Sequence, residues 1–265
     1  MKKLDNDVNE LIKYSKNKIN NILLNQEKQK FCVISAIFGK SDLIHYLIKN
    51  FINQDNYTFI FTDDKNIADL KFDNSKFQII FVPQYLRLKN PRLTAKIFKI
   101  FIPLICENSF ESAFWVDANL LISDFKIIFN YFEKKCKQDD ILILFNHPRK
   151  SRNIIREIVR IFIFRKDSFS NLIKAFYYIF KNLLKNNNLK IFFKKIFWGG
   201  FIYFKKLDKE ISYFWWEFVK ISIRDQISLP LIIYNIKHTS LLITDVKDNI
   251  LSAEHLTYKH YDLEK

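Results

Sequence analysis

The chain has 265 residues, of which 49% are hydrophobic, and this is enough apolar sequence for one sizeable core. Its formal net charge is +15, but lysine, asparagine, isoleucine and phenylalanine are over-used throughout, so the charge alone does not indicate a nucleic-acid partner. No N-terminal stretch has the order of a signal peptide, and charged residues or proline interrupt every apolar run before the roughly 18–20 residues that a membrane span needs. The three cysteines, Cys32, Cys106 and Cys136, have neither metal nor redox spacing. We therefore expect a cytoplasmic protein with free thiols, and leave peripheral contact with the inner membrane face open.

Short apolar runs alternate with helical patterns along most of the chain. The predicted strands cover residues 31–38, 57–62, 77–82, 113–116, 141–145, 201–204 and 241–244. The predicted helices begin near Leu43, at Pro91, after Asp124, near Tyr213 and at Arg224. Strands that alternate with helices at this spacing favour an α/β fold with an open, mostly parallel sheet of the Rossmann type, flanked by helices.

Two regions depart from this alternation. Residues 1–30 are polar with weak helical spacing, and we interpret them as an N-terminal helical extension of a single domain that covers residues 31–265. Residues 149–195 carry 13 Lys or Arg against two acids, a net charge of +11. Because no linker rich in Gly, Pro or Ser separates this stretch, we predict a basic, aromatic, helical insertion over 149–197 rather than a second domain.

Polar residues end several of the predicted strands, namely Asp63, Asp117, Asn119 and His147. Open α/β sheets bind ligands at the carboxyl ends of their strands, so these residues fall where a site is expected. An acid with a second oxygen ligand two residues on can hold a divalent ion that bridges two phosphates. A short Asp-x-Asn turn explains the same pair equally simply.

Glycine is rare, and its positions are therefore informative. Gly39 follows the first strand, and Gly199 and Gly200 precede the strand predicted at 201–204. Glycine is needed where φ is positive or where a ligand approaches the backbone closely, and tight turns are the simpler alternative.

A second pattern lies in the helix that begins at Pro91. Arg92, Lys96 and Lys99 have i, i+4 and i+7 spacing and so share one helix face, which suits a pyrophosphate. Solvated surface charge is the alternative in so basic a protein.

Three further candidate residues, which lie on either side of the insertion, each have two interpretations. Asp225, between Arg224 and Gln226, is either a carboxylate that contacts or deprotonates an acceptor hydroxyl or a helix-initiating acid. Trp216 is either a wall of the pocket or a core residue. His147 is either a ligand-binding residue or a strand end held by the following proline.

In this order and spacing, several short segments resemble a known family. They are residues 35–39, 61–63, 91–103, 114–119, 147–148, 199–200, 214–216 and 224–230. The family is the glycosyltransferase-like group of plant turgor-regulation and mucilage-related proteins and their bacterial relatives, long catalogued as a domain of unknown function. The blocks at 115–119 and 224–230 are the most specific, and the match runs from about residue 31 to 235.

The resemblance implies a GT-A-like fold, a nucleoside-diphosphate-sugar donor and a divalent metal, commonly Mn²⁺, held by Asp117 and Asn119. Two departures stand out: Leu104 replaces a frequent histidine, and Asn119 replaces the second acid of a usual Asp-x-Asp motif. A glycan or a lipid-linked glycan is the expected acceptor, and the oligomeric state is left open.

Combining the residues with the resemblance gives two functional hypotheses. In the first, a glycosyltransferase binds the donor through a set of residues and contacts the acceptor through Asp225 and the pocket residues His147, Trp216, Arg224 and Gln226. The donor set comprises Gly39, Asp63, Arg92, Lys96, Lys99, Asp117, Asn119, Gly199 and Gly200. In the second, a non-catalytic basic protein binds nucleic acid or an anionic membrane surface. The second leaves the polar strand ends unexplained, and we rank it lower.

Overall fold

The computed structural model describes residues 4–24, 26–39, 42–118, 120–122, 124–146, 153–164, 173–174, 177, 180–181, 196–220, 225–235, 240–244 and 256–258. The α-helices in these ranges are α1 (Asn6–Ile22), α2 (Asp42–Phe51), α3 (Lys65–Ala68), α4 (Pro91–Ile100), α5 (Ile102–Cys106), α6 (Phe125–Lys135), α7 (Ile154–Ile163), α8 (Lys209–Val219) and α9 (Asp225–Asn235). The strands are β1 (Gln29–Ile37), β2 (Tyr57–Thr62), β3 (Phe77–Phe81), β4 (Phe110–Val116), β5 (Leu120–Ile122), β6 (Asp140–Asn146), β7 (Phe197–Phe204), β8 (Ser240–Thr244) and β9 (Leu256–Tyr258). A 3₁₀ turn, Gln84–Leu86, joins β3 to α4.

Seven strands form one sheet in the order β3-β2-β1-β4-β7-β6-β8. All neighbouring strands pair in parallel except β7, which is antiparallel to both β4 and β6. Strands β5 and β9 form a separate antiparallel pair. The predicted α/β class with a mostly parallel sheet is confirmed. We call the side of the sheet where β1, β2 and β4 end its carboxyl edge.

The sheet is buried on both faces, as the continuous apolar run of β1 predicted. Cys32 and Ile34 contact one cluster of buried side chains, whereas Val33 and Ile37 contact the other. The first cluster joins the sheet to α1, α4, α5, α8 and α9, and the second joins it to α2 and α6. Successive residues of a strand point to opposite faces, so this three-layer arrangement needs an apolar residue at almost every position of a central strand.

Helix α1 packs into the first of these clusters through its buried residues Val8, Leu11 and Ile19. Its Lys16 ammonium lies 2.7 Å from Glu107, which follows α5, and Lys209 of α8 contacts the same carboxylate. One acid therefore ties three helices together on this face of the sheet.

The stability of the protein is expected to fall on acidification through Glu107. Burial works to raise the pKa of this carboxyl, but its bonds to Lys16 and Lys209 outweigh that effect and hold the pKa below its ordinary value. The stabilisation is fully present above the ordinary carboxyl pKa of about 4.5 and is lost as the pH falls through the lowered folded-state value. Urea unfolding at several pH values should show a shallower acid loss in Glu107→Gln than in the wild type; parallel curves would contradict the assignment.

The structure corrects one prediction about local structure. Gly199 and Gly200 lie inside β7 rather than in a turn before it. Every residue of β7 is buried, and its register against β6 shifts between Ile202 and Trp198, so the two glycines lie at an irregularity of the sheet, where glycine is common in a strand.

The described part of the basic insertion consists of α7 and five further helical residues, 173, 174, 177, 180 and 181. In the described ranges no helix combines the length and the apolar character that crossing a bilayer requires.

Candidate functional site at the carboxyl edge of the sheet

Asp117 and Gly200 meet at the carboxyl edge of the sheet. Asp117 directly follows β4, and its backbone N–H donates a hydrogen bond of 2.7 Å to the carbonyl of Gly200 in the antiparallel strand β7. The Asp117 carbonyl then accepts from the Leu120 N–H at 3.1 Å, which closes a turn into β5. The two motifs that sequence analysis singled out separately are therefore adjacent in space.

The Asp117 carboxylate is held by two groups from beneath the site. The indole Nε1–H of Trp115 donates to Oδ1 at 2.6 Å, and the Lys99 ammonium lies 3.5 Å from the same oxygen. The Lys99 nitrogen also lies 5.5 Å from the centroid of the Trp115 ring. The side chain of Lys99 is 0% exposed and that of Asp117 is 39% exposed, so the cation is internal and the carboxylate faces outward.

The predicted cationic stripe on α4 is therefore not continuous at the surface. Arg92 is exposed, Lys96 is half-buried, and Lys99 is fully buried. The reason is that the far end of α4 enters the core beneath β1 and β4, where Ile97 and Phe98 are also fully buried. A buried ammonium cannot meet a diphosphate in solvent; Lys99 instead contacts the Asp117 carboxylate.

Gly200 leaves no room for a side chain beside this carboxylate. A Cβ added at this position would lie 3.0 Å from Nε1 of Trp198 and 3.3 Å from Oδ2 of Asp117. Trp198 is itself buried, so it has little freedom to withdraw.

Gly200→Ala is expected to displace the Asp117 carboxylate and to destabilise the protein by about 1–3 kcal/mol, the usual cost of overpacking. The free energy of unfolding in urea measures the stability, and calorimetry with a nucleoside diphosphate measures the site. Glu111→Ala, at the exposed position of β4, is the matched control and should change neither quantity. Unaltered stability and affinity in Gly200→Ala would show that the space is not needed.

A cavity of about 330 Å³ opens at the carboxyl ends of β1 and β2. It is lined by Phe38, Asp63, Gln84, Arg87, Leu88, Lys89, Pro91 and Thr94. Asp63 follows β2 and accepts a hydrogen bond of 2.6 Å from Arg87 Nη1. Both side chains are mostly buried, so the ion pair forms a fixed polar wall of the cavity.

Gly39 binds Asp63, one of the residues of this wall. Its φ of +72° lies in the left-handed region, where a side chain is strained, and its N–H donates to the Asp63 carboxylate at 3.0 Å. A Cβ here would also touch Pro91 at 3.7 Å. The positive φ of this glycine thus accompanies the hydrogen bond from its N–H to the Asp63 carboxylate.

The remaining predicted residues are placed only in part. Asn119, His147 and Arg224 lie outside the described residues. Asp225 and Gln226 begin α9, but their side chains are not among those described. Trp216 is 2% exposed and packs against Phe101 at 5.8 Å between ring centroids, so it lies in the core and does not offer its face to a sugar.

The described residues do not by themselves fit a divalent metal. They contain no group of three histidine, cysteine or acidic side chains that could hold one. Of the Asp117 oxygens, Oδ1 already accepts from Trp115 and contacts the Lys99 cation, which leaves Oδ2. One carboxylate oxygen beside a fixed cation is a poor ligand set for ions that take six or more oxygens.

Sequence reasoning assigned no role to Arg87 and Trp115. Arg87 lies in the loop between β3 and α4, where no periodic pattern distinguishes it from the other cations. Side chains alternate along a strand, and the side chain of Trp115 points to the face of the sheet that α4 covers; α4 is the helix that carries Lys99. That alternation was the available signal, because a tryptophan two residues before a strand-end acid points to the same face as the acid.

No protein-family model matches the chain, and no curated protein matches it in sequence. Solved structures that resemble it include mouse xyloside xylosyltransferase 1 in its apo form, with 7% identity, a TM-score of 0.47, and coverage of 83% of this chain and 86% of that one. An active-site mutant of LgtC shows 11% identity and a TM-score of 0.42, with coverage of 82% and 73%. A mannosyltransferase from Pyrobaculum calidifontis in complex with GDP-Man and Mn²⁺ shows 10% identity and a TM-score of 0.41, with coverage of 90% and 63%. These chains are glycosyltransferases; at such scores the likeness does not assign a reaction, which has to be argued from the site.

Proposed function

We propose that this protein is a glycosyltransferase that moves a sugar from a nucleoside-diphosphate-sugar donor to a glycan or lipid-linked glycan acceptor. One observation carries the proposal: an outward-facing carboxylate, Asp117, is held by a buried lysine at the same sheet edge as a polar-walled cavity. This edge is where open α/β sheets bind nucleotides. The alternative for Lys99 is solvated surface charge, and the alternative for Asp117 is a simple turn. Neither alternative explains why Lys99 is buried beside Asp117.

The cavity at β1 and β2 has the size and chemistry for the nucleoside part of the donor. Its volume of about 330 Å³ lies at the lower end of the range for small-molecule sites. Asp63 supplies carboxylate oxygens for ribose or base N–H and O–H groups, and Gly39 and Arg87 keep that carboxylate in place. Pro91 and Phe38 supply apolar wall for a base.

The diphosphate would lie between this cavity and Asp117, because β1, which separates β2 from β4, ends there. Arg92, exposed in the first turn of α4, and Lys89, which is exposed and lines the cavity, are the described cations that we propose to meet it. A leaving nucleoside diphosphate accumulates negative charge, and a guanidinium stabilises that charge with paired hydrogen bonds. Gly200 brings no side-chain atoms against the Asp117 carboxylate, whose exposed part is left to the sugar.

The divalent metal and the acceptor base stay predictions. Mn²⁺ would depend on Asn119 in addition to Asp117, and Asp225 would contact or deprotonate the acceptor hydroxyl. The role of Mn²⁺ is testable by chelation, and we derive no step of the reaction from it.

A thermal-shift screen of nucleotide sugars, with Mn²⁺ and with chelator, tests the proposal. A rise in the unfolding temperature with one nucleotide sugar, followed by release of the nucleoside diphosphate when an acceptor is added, is the expected result. Stabilisation that persists in chelator would exclude the predicted role of Mn²⁺ in donor binding. No stabilisation by any nucleotide sugar under either condition would contradict the proposed function.

Asp63→Asn should weaken nucleoside diphosphate binding about tenfold or more, because it removes the charge that holds both Arg87 and the Gly39 N–H. Isothermal titration with the nucleoside diphosphate measures this loss. Asp69→Asn, on the exposed side of the turn after α3, is the matched control. Equal affinity in the two variants would show that the nucleoside does not bind in this cavity.

A further inference from the structure

Helix α7 has an apolar face on its outside as well as on its inside. Its exposed residues have i, i+1, i+4, i+7 and i+8 spacing and so share one face; they are Ile155, Arg156, Val159, Phe162 and Ile163. Val159 and Ile163 are 49% and 65% exposed. The buried residues Ile154 and Ile161 lie on the opposite face. A surface helix normally turns charged and polar residues outward, so this face indicates contact with something other than water.

The next described helical residues repeat the arrangement. Exposed Ile173, Lys174, Tyr177, Phe180 and Lys181 have the same i, i+1, i+4, i+7 and i+8 spacing. Tyr177 is 64% exposed. Two stretches of one insertion therefore each present three or four large apolar side chains with one or two cations beside them. We call these ten residues the docking surface.

The charge around the docking surface selects its partner. Residues 149–195 have a net charge of +11, and Glu157, one of their two acids, is buried. Exposed aliphatic and aromatic side chains flanked by Lys and Arg are the composition of helices that lie in the interface of an anionic bilayer. There the apolar side chains enter the acyl boundary while the cations reach the headgroups.

Other partners fit less well. Nucleic acid offers phosphates to the cations and stacking to Tyr177, but it offers nothing to the branched aliphatic side chains of Ile155, Val159 and Ile163. A second copy of the chain would bring two strongly cationic insertions together, and like charges facing each other oppose association.

We propose that the docking surface binds the interface of an anionic lipid bilayer and holds the protein there peripherally. The inference deepens the proposed function, because it names a membrane-borne glycan as the acceptor class, but bilayer binding itself does not depend on transfer. It also does not depend on any metal.

Co-sedimentation of the full chain with vesicles tests the proposal. We expect binding to vesicles of phosphatidylcholine with phosphatidylglycerol and little binding to phosphatidylcholine alone. Val159→Asp combined with Ile163→Asp should remove binding at all salt concentrations, because it places carboxylates in the acyl boundary. Lys174→Gln combined with Lys181→Gln should weaken partitioning about thirtyfold at low salt, since each Lys near an anionic surface contributes about a factor of five.

The matched control is Leu24→Asp combined with Leu70→Asp, two exposed leucines outside the insertion that are 67% and 50% exposed. This control should bind vesicles like the wild type, and all variants should keep the wild-type unfolding temperature because every altered side chain is exposed.

Three results would overturn the proposal: equal binding to neutral and anionic vesicles, full binding by the Val159→Asp and Ile163→Asp variant, or vesicle binding that is absent while labelled DNA or RNA binds through the same residues. Thermal shifts with nucleotide sugars on the same samples separate the two proposals. If vesicle binding is lost while nucleotide sugars still stabilise the protein, the docking proposal fails and the transferase proposal holds. If vesicles bind but no nucleotide sugar stabilises the protein, the transferase proposal fails and the docking proposal holds.

Discussion

Asp117→Asn is expected to abolish binding of the nucleotide-sugar donor and, at the same time, to lower the free energy of unfolding by about 2–4 kcal/mol. The carboxylate is the counter-charge that the buried Lys99 ammonium contacts at 3.5 Å, and removing one partner of an internal ion pair costs about 3–5 kcal/mol before allowance for the partial exposure of Asp117. Asparagine keeps the shape and an acceptor for the Trp115 indole, so the change removes charge with little loss of packing. Urea unfolding and calorimetric titration with the donor measure the two effects.

The sequence indicated a role for Asp117 in donor and metal binding alone; the contact with Lys99 adds an expected role in stability. Glu111→Gln, at the exposed position of the same strand, should alter neither stability nor affinity. A folded Asp117→Asn protein with wild-type donor affinity would show that Asp117 does not take part in donor binding.

Lys99→Met should have the second large effect. Methionine approximates the length of the lysine stem without the charge, so the variant keeps the packing of α4 and withdraws the cation from Asp117 and Trp115. We expect a loss of stability of about 1–3 kcal/mol and weaker donor binding, because the Asp117 carboxylate loses one of the two groups that fix its direction.

The double variant of Lys99→Met and Asp117→Asn separates the two roles. The losses in the free energy of unfolding should not add, because the second change removes a charge whose partner is already gone. The coupling energy between the two substitutions should be about 1–3 kcal/mol. Donor binding should stay as low as in Asp117→Asn, because the carboxylate itself is missing. Additive stability losses would mean that the 3.5 Å contact contributes nothing.

The fold was predictable because each central strand is marked by a continuous apolar run, and the runs alternate with helical spacing. The antiparallel strand β7 was only half predicted. Glycine disfavours strands in general, so Trp198, Gly199 and Gly200 looked like a loop before the strand. Trp198 pairs with Phe145 of β6 across a register shift, and the Gly200 carbonyl accepts from the Asp117 N–H; both partners lie far away in the sequence.

For the candidate site, the positions of Asp63 and Asp117 directly after strands were predictable from the sequence, and their roles stay predictions. The burial of Lys99 was not predictable, because helical periodicity shows which residues share a face but not how deeply each turn of the helix enters the core. Arg87 was missed for a related reason: a cation in a loop acquires its role only when the fold brings the Asp63 carboxylate within 2.6 Å.

The pairing of β6 with β7 has a geometric consequence for the basic insertion. The chain leaves the sheet at Asn146 and rejoins it at Phe197, and these two residues are register partners. The insertion therefore begins and ends at the same place on the sheet. That place lies a few residues along β7 from Gly200, whose carbonyl accepts from the Asp117 N–H. Anchoring this segment to a bilayer would confine the site to a thin layer above the lipid. An acceptor in the same bilayer would then be found by a two-dimensional search at high effective concentration.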